Sequence, residues 1–293
     1  MLSSGKKHFL RQLPHYLALI RFDKPIGTFL LLWPTWWALW MASNGMPSMK
    51  LLIIFTLGTF LMRSAGCVIN DYADRHWDSA VERTSQRPLT TGKVSEKEAL
   101  ILFTVLCIAA FILVLFTNLL TIYLSFAAVA IAALYPFMKR YTHLPQVVLG
   151  AAFSMGIPMS FAAVQNQVPV TAWLIFIAAL IWTVAYDTFY AMVDREDDKK
   201  VGIKSTAILF GEDDLSIIAL LQASFLLILG LAGKQMEMGY WFYTGLIAAA
   251  ALFVYQHILT RERDRQACFA AFLHNNWVGA VIFSAILIDF LLR

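Results

Sequence analysis

Nine consecutive residues, Asn70-Asp71-Tyr72-Ala73-Asp74-Arg75-His76-Trp77-Asp78, put three carboxylates at the end of an otherwise apolar segment that runs from Leu51 to Ile69. A helix turns about 100° per residue, so Asn70, Asp74 and Asp78 fall roughly 0°, 40° and 80° around one face. A second acidic stretch, Asp187 through Asp194-Arg195-Glu196-Asp197-Asp198, closes another long apolar segment. There Asp187, Asp194 and Asp198 lie within about 40° of one line on a helix. Ionisable groups at membrane depth are costly and mark functional sites by default. Carboxylates that converge repel one another and resist ionisation unless a cation neutralises them. Mg²⁺ suits such a site, because it takes oxygen ligands and is commonly held by one or two carboxylates together with substrate phosphates. The two acidic helix ends are therefore expected to face each other across one divalent-metal site, with Asn70 adding a neutral oxygen.

A partly open metal site of this kind suits a diphosphate. Arg63, Arg75, Arg83, Arg87, Lys139, Arg140, Lys199, Lys200 and Lys204 lie near the same ends and can neutralise its remaining charge. Arg63 stands apart from the rest. It comes seven residues before Asn70, on nearly the same face and two turns deeper, where an unpaired guanidinium is unfavourable. Arg63 and Arg75, close to the first acidic motif in sequence, are assigned to the diphosphate.

The elements that must position these groups are apolar helices. With 59% hydrophobic and 14% charged residues, the composition is that of a polytopic membrane protein. Segments long enough to cross a hydrocarbon layer of about 30 Å fall at 26–45, 50–70, 98–117, 119–138, 146–164, 170–193, 215–233, 238–258 and 273–291. The expected fold is all-α, with nine transmembrane helices forming a single domain over 1–293. The stretch 6–24 mixes Arg, His, Pro and Gln with apolar residues and lacks the apolar core of a cleavable signal, so the first span is expected to direct insertion. Ser95-Glu96-Lys97-Glu98 has the form of a capping box that starts the third span.

Of the 23 Lys and Arg residues, nineteen fall on one side of these spans and three on the other, with Arg63 inside. The rich side is expected to be cytoplasmic, which places the N-terminus and the long loops 71–97 and 194–214 there. Cys67, Cys107 and Cys268 show no CxxC spacing and argue against a disulfide framework or a zinc site. No HExxH, GxGxxG or P-loop pattern occurs, and no nucleic-acid partner is expected. The partners are small substrates and the lipid bilayer.

Asn70-Asp71-Tyr72-Ala73-Asp74-Arg75-x-x-Asp78, followed by Arg83-Thr84 and Arg87-Pro88-Leu89, resembles the first aspartate motif of the UbiA prenyltransferases. Tyr186-Asp187-Thr188-x-Tyr190-Ala191-Met192-x-Asp194-Arg195-x-Asp197-Asp198, with Gly202-Ile203-Lys204-Ser205-Thr206-Ala207, is similar to the second. Arg21-Phe22-Asp23-Lys24-Pro25-Ile26-Gly27, with Leu32-Trp33-Pro34-Thr35, resembles the hydroxybenzoate branch in particular. The resemblance covers nearly the whole chain, with every motif in order.

It implies a UbiA-type bundle in the bacterial inner membrane and Mg²⁺-dependent transfer of a polyprenyl group from polyprenyl diphosphate to 4-hydroxybenzoate, in ubiquinone biosynthesis. By the same resemblance Asn70, Asp74, Asp194 and Asp198 hold metal and diphosphate, with Asp71, Asp78 and Asp187 in support. The carboxylate of the implied acceptor is assigned to Lys139 and Arg140, which lie far from both motifs in sequence. Asp187 is also the candidate proton acceptor, and Tyr72, Tyr135, Tyr186 and Tyr190 are candidates to shield an allylic cation. Two other readings remain open, a relative acting on homogentisate or a naphthoate, and an ion-coupled transporter. Transporters place their acids near the midplane, often at broken helices. Acids at span ends beside long polar loops favour the enzyme.

Overall fold

The computed structural model describes residues 4–78 and 84–293, with side chains from residue 11 onward. Glu82 and Arg83 lie outside the described residues. Among those described, the chain is helical: α1 (Ser4–Leu19), α2 (Ile26–Ala42), α3 (Met49–Asp74), α4 (Glu96–Val114), α5 (Leu119–Tyr141), α6 (Pro145–Ser154), α7 (Gly156–Gln165), α8 (Val170–Val201), α9 (Thr206–Phe210), α10 (Asp214–Gln235), α11 (Tyr240–Leu259) and α12 (Arg265–Leu291). Eight stretches are long and apolar enough to cross a membrane, and α2, with 17 residues, is a shorter apolar helix beside them. The protein is a multi-pass membrane protein whose spans follow the nine expected segments, the first of them shorter than expected.

Local chemistry sets several boundaries. The α4 capping box forms as expected, with the Ser95 hydroxyl accepting from the Glu98 N–H and the Glu98 carboxylate accepting from the Ser95 N–H. Asn118 caps α5 by accepting from the Thr121 N–H at 3.0 Å, which separates the third and fourth spans. The expected span 146–164 is divided into α6 and α7. Pro158 explains the division, since it has no N–H for the Ser154 carbonyl and its ring crowds that same group. At the division Gly156 meets α2 so closely that a Cβ there would stand 2.4 Å from the Thr35 hydroxyl.

The helix α8 lies at the centre and packs against α6, α7, α10 and α12, while α2 packs against α3, α7 and α12. At its core the Trp182 ring stacks on Phe225 at 5.6 Å and lies 5.3 Å from Trp37. With no water in a bilayer core, each indole N–H needs a protein acceptor. Trp37 donates to the Gly279 carbonyl and Trp182 to the Asn275 side chain.

The first acidic helix departs from expectation. The helix α3 ends at Asp74, and Asp78 sits beyond a turn rather than on a continued helical face. The Tyr72 carbonyl accepts from the Arg75 guanidinium at 2.7 Å and the Ala73 carbonyl from Arg140 at 2.7 Å. Those carbonyls would otherwise serve the N–H groups of His76 and Trp77, and the Trp77 N–H instead closes a tight turn on the Asp74 carbonyl at 2.8 Å. By contrast α8 continues unbroken to Val201, so the alignment of Asp187, Asp194 and Asp198 on one helix holds.

Candidate functional site

The site forms where the ends of α3, α5 and α8 meet. A cavity of about 250 Å³ is lined by Asp74 and Trp77 after α3, Lys139 and Arg140 at the end of α5, and Val201, Gly202 and Ile203 at the end of α8. The loop after α8 is tied to α5. The Lys204 N–H donates to the Lys139 carbonyl at 2.9 Å, and the Lys204 ammonium donates to the Tyr141 carbonyl at 3.3 Å. Gly202 allows the turn, since its φ of +74° is a left-handed conformation that closes α8. Thr206 then bonds the Thr188 hydroxyl on α8, and its N–H donates to Gln146 on α6.

The carboxylates of the first motif are neutralised by cations of the chain itself. Arg21 grips Asp71 with one nitrogen on both oxygens, at 2.8 and 2.7 Å. Arg87 bridges Asp71 and Asp78, 2.9 Å from each. Lys139 pairs with Asp74. Sequence order suggests that Asp71 and Asp78 lie nearest water, but both are buried, at 1% and 5% exposure. Burial pushes the Asp78 carboxyl above its usual range; Arg87 opposes that shift, and the charges of Asp74 and Asp71 add to it.

Two oxygens of this motif remain buried without a hydrogen-bond partner, Asn70 Oδ1 and Asp74 Oδ1, one helical turn apart. Among the described residues no group of three or more His, Cys, Asp or Glu side chains is gathered closely enough to form a metal cage. The donor set nonetheless fits a hard divalent cation held by a few protein oxygens and completed by substrate phosphates. Asp194 is buried on α8 and Asp198 is half-buried one turn further on, and each has partners of its own.

Tyr135 on α5 lies within electrostatic reach of Asp74 on α3, of Asp187 and Tyr190 on α8, and of Arg63. Arg63 also acts on Tyr186. Arg63 is wedged against α2, where a Cβ on Gly27 would stand 2.6 Å from its Nη2. It donates to the Cys67 sulfur, while its Nε is buried without a hydrogen-bond partner. The deep end of the site thus holds a guanidinium with an unsatisfied donor, beside tyrosines and Asp187.

The remaining candidates are placed differently. Arg75 turns away toward α4, where its Nε lies 3.0 Å from Glu96 and its guanidinium covers the Tyr72 ring at 4.2 Å. Arg140 is committed to the Ala73 carbonyl and to the Trp77 face at 4.4 Å, which makes it a brace for the end of α3. Lys199 and Lys200 form surface pairs with Glu196 and Asp197. The clamp on Asp71 by Arg21 was not foreseen. Arg21 has a left-handed φ of +58° at the end of α1 and comes 50 residues before its partner, so no spacing rule connects them.

Arg140→Ala is accordingly expected to disturb Asp74 and the donor side of the site rather than acceptor binding. A charge-assisted hydrogen bond contributes roughly 1.5–3 kcal/mol, so kcat/KM for the donor should fall about tenfold or more. A rise confined to the acceptor KM in steady-state kinetics would return Arg140 to the acceptor.

Comparison with known proteins identifies the family and the fold. Residues 31–278 match the UbiA prenyltransferase family. The 4-hydroxybenzoate octaprenyltransferase of Ectopseudomonas mendocina (strain ymp) is 61% identical over 278 residues, covering 95% of this chain and 94% of that protein. Among solved structures, a UbiA homolog from Aeropyrum pernix K1 superposes with a TM-score of 0.77 at 24% identity, over 90% of this chain and 97% of that one. A UbiA homolog from Archaeoglobus fulgidus bound to GPP and Mg²⁺ gives a TM-score of 0.69 at 20% identity, over 93% and 99%.

Proposed function

The chain belongs to the UbiA prenyltransferase family, and from that premise we propose the substrates, metal and residue roles of its reaction. It transfers a polyprenyl group from polyprenyl diphosphate to the ring carbon ortho to the hydroxyl of 4-hydroxybenzoate, a step of ubiquinone biosynthesis. The reaction depends on Mg²⁺, the whole chain works as one domain, and the site opens on the cytoplasmic side of the inner membrane. The observation that carries this reading is the pair of orphaned oxygens on Asn70 and Asp74, one helical turn apart, with Asp74 beside Lys139 in the lining of the cavity between α3, α5 and α8.

Asn70 and Asp74 on α3, with Asp194 and Asp198 on α8, are the residues that would hold the metal. Bound there, a divalent cation would neutralise the diphosphate and stabilise the charge that develops on it as the prenyl carbon departs. Lys139 stands beside Asp74 and is placed to add its charge to the same diphosphate. Asp71 and Asp78, held by Arg21 and Arg87, support the end of α3 from behind.

The acceptor must meet the prenyl carbon on the membrane side of the diphosphate. Arg63 lies seven residues, or about 10 Å of helix, deeper than Asn70, and its unsatisfied Nε suits a carboxylate. Arg63 therefore receives the benzoate carboxylate, in place of Arg140, and Lys139 serves the diphosphate. Tyr135 and Tyr186 line the ground between these anions and shield the allylic cation. The electron-rich ring attacks that cation, forming the carbon–carbon bond, and Asp187 takes the ring proton as aromaticity returns.

The identity of the product tests the substrates. Membranes supplied with octaprenyl and shorter diphosphates and with 4-hydroxybenzoate, homogentisate and a naphthoate together are expected to yield the prenylated 4-hydroxybenzoate by mass. A product on another acceptor would overturn the assignment, and absence of diphosphate release would favour a transporter. Orientation has its own test. Gln86 is exposed on the loop after Asp78, so a Gln86→Cys protein should react with an impermeant thiol reagent only from the cytoplasmic face. Reaction from the periplasmic face alone would invert the topology.

A further inference from the structure

Behind the acidic end of α8 lies a second ionic cluster that takes no part in the cavity. Asp214, the first residue of α10, is fully buried. It accepts from Arg195 of α8 and from Arg263 in the turn between α11 and α12, whose Nε lies 3.0 and 3.3 Å from its two oxygens. Arg263 holds a left-handed φ of +55° and also donates to the Glu212 carbonyl at 2.7 Å. One carboxylate thus joins the end of α8, the start of α10 and the turn before α12. Asp197 adds a parallel tie, 3.2 Å from Arg265.

Arg195 follows Asp194 directly and stands three residues before Asp198, the spacing at which opposite charges pair along a helix. Its Nε is buried without a hydrogen-bond partner, so the bond to Asp214 is what retains the side chain on the far side of α8. Released from Asp214, the guanidinium has Asp198 as the one acid three or four residues away on α8, the spacing at which side chains face each other. An added cation there opposes metal binding by ordinary charge repulsion.

We propose that Asp214 is a positioning residue for the second acidic motif, holding Arg195 off Asp198 so that Asp194 and Asp198 can take the divalent metal. The inference rests on the metal role proposed above for those two aspartates. The same carboxylate also anchors three elements, so the test must separate charge diversion from simple support of the fold.

Equilibrium Mn²⁺ binding, followed by electron paramagnetic resonance on the full-length enzyme in detergent with inorganic diphosphate present, provides that separation. Asp214→Asn keeps the shape and removes the charge, and is expected to weaken Mn²⁺ binding about tenfold, within the usual range of coupling between neighbouring charges. Asp214→Glu should bind nearly as the wild type does. The decisive protein is the double variant Asp214→Asn with Arg195→Gln. Removing the diverted cation should restore Mn²⁺ affinity to within about twofold of the wild type, as a double-mutant cycle for a coupled pair requires. Unchanged binding in Asp214→Asn, or a double variant as weak as the single one, would overturn the proposal. Asp194→Asn serves as the control for the metal reading itself. If it binds Mn²⁺ like the wild type, the metal assignment falls and the role of Asp214 falls with it.

Discussion

Asp74→Asn and Asp194→Asn enzymes are expected to lose prenyl transfer by about 10²–10³-fold each, the loss that follows removal of a group aimed at charge developing in a transition state. The substitution keeps the side chain's size and one oxygen, so the packing of buried Asp74 and Asp194 is retained while a formal charge is removed. Lys139 then faces a neutral amide in place of the Asp74 carboxylate. Both variants should need more Mg²⁺ for half-maximal rate. Glu196→Gln supplies the comparison, since Glu196 lies two residues from Asp194 but is exposed and makes only a surface pair with Lys199. Such pairs contribute little, and that enzyme should retain nearly full activity. Turnover measured against Mg²⁺ concentration checks all three, and equal losses would show that the acids hold the fold rather than a cofactor.

The second large effect is expected at Arg63. Arg63→Met keeps much of the side chain's length but removes the guanidinium from the deep end of the site, where it meets Gly27, Cys67 and the tyrosines. Truncating one partner of a buried charge pair costs about 2–5 kcal/mol, so the KM for 4-hydroxybenzoate should rise roughly 10²-fold. The KM for the polyprenyl donor should change little, because the proposed diphosphate site lies two helical turns nearer the surface. Gly27→Ala offers a milder route to the same effect, since its added methyl would stand 2.6 Å from Arg63 Nη2 and displace it. Kinetics with each substrate varied in turn decide the matter. A selective rise in the donor KM would assign Arg63 to the diphosphate and leave the acceptor carboxylate to another cation.

The acids of the first motif tolerate burial because cations of the chain neutralise them. Convergent carboxylates were expected to need a cation, and the chain supplies several, with Arg21 and Arg87 on Asp71, Arg87 on Asp78 and Lys139 on Asp74. Asp71 and Asp78 are thereby largely committed to holding the end of α3, whereas Asp74 and Asn70 each keep an oxygen unbonded. This division separates supporting acids from the proposed metal-holding ones, although all belong to one short motif.

The sequence by itself determined whatever depends on neighbours along the chain. Apolar runs located the spans, the Ser95–Glu98 box located the start of the third, and periodicity aligned Asp187, Asp194 and Asp198 on an unbroken α8. Those features follow from hydrogen bonds and side-chain spacing within a few residues, so they are legible in one dimension. Tertiary structure decided which charge meets which. Arg75 follows Asp74 directly yet turns to Glu96, while Arg140 comes 67 residues after Ala73 and caps its carbonyl. The end of α3 depends on that distant guanidinium, so the expected face through Asp78 was lost. Arg21 and Asp71, or Arg195 and Asp214, likewise become partners only through the packing of separate helices. Spacing fixes where a side chain lies around its own helix, but its partner depends on how the helices pack against one another, which no local pattern records.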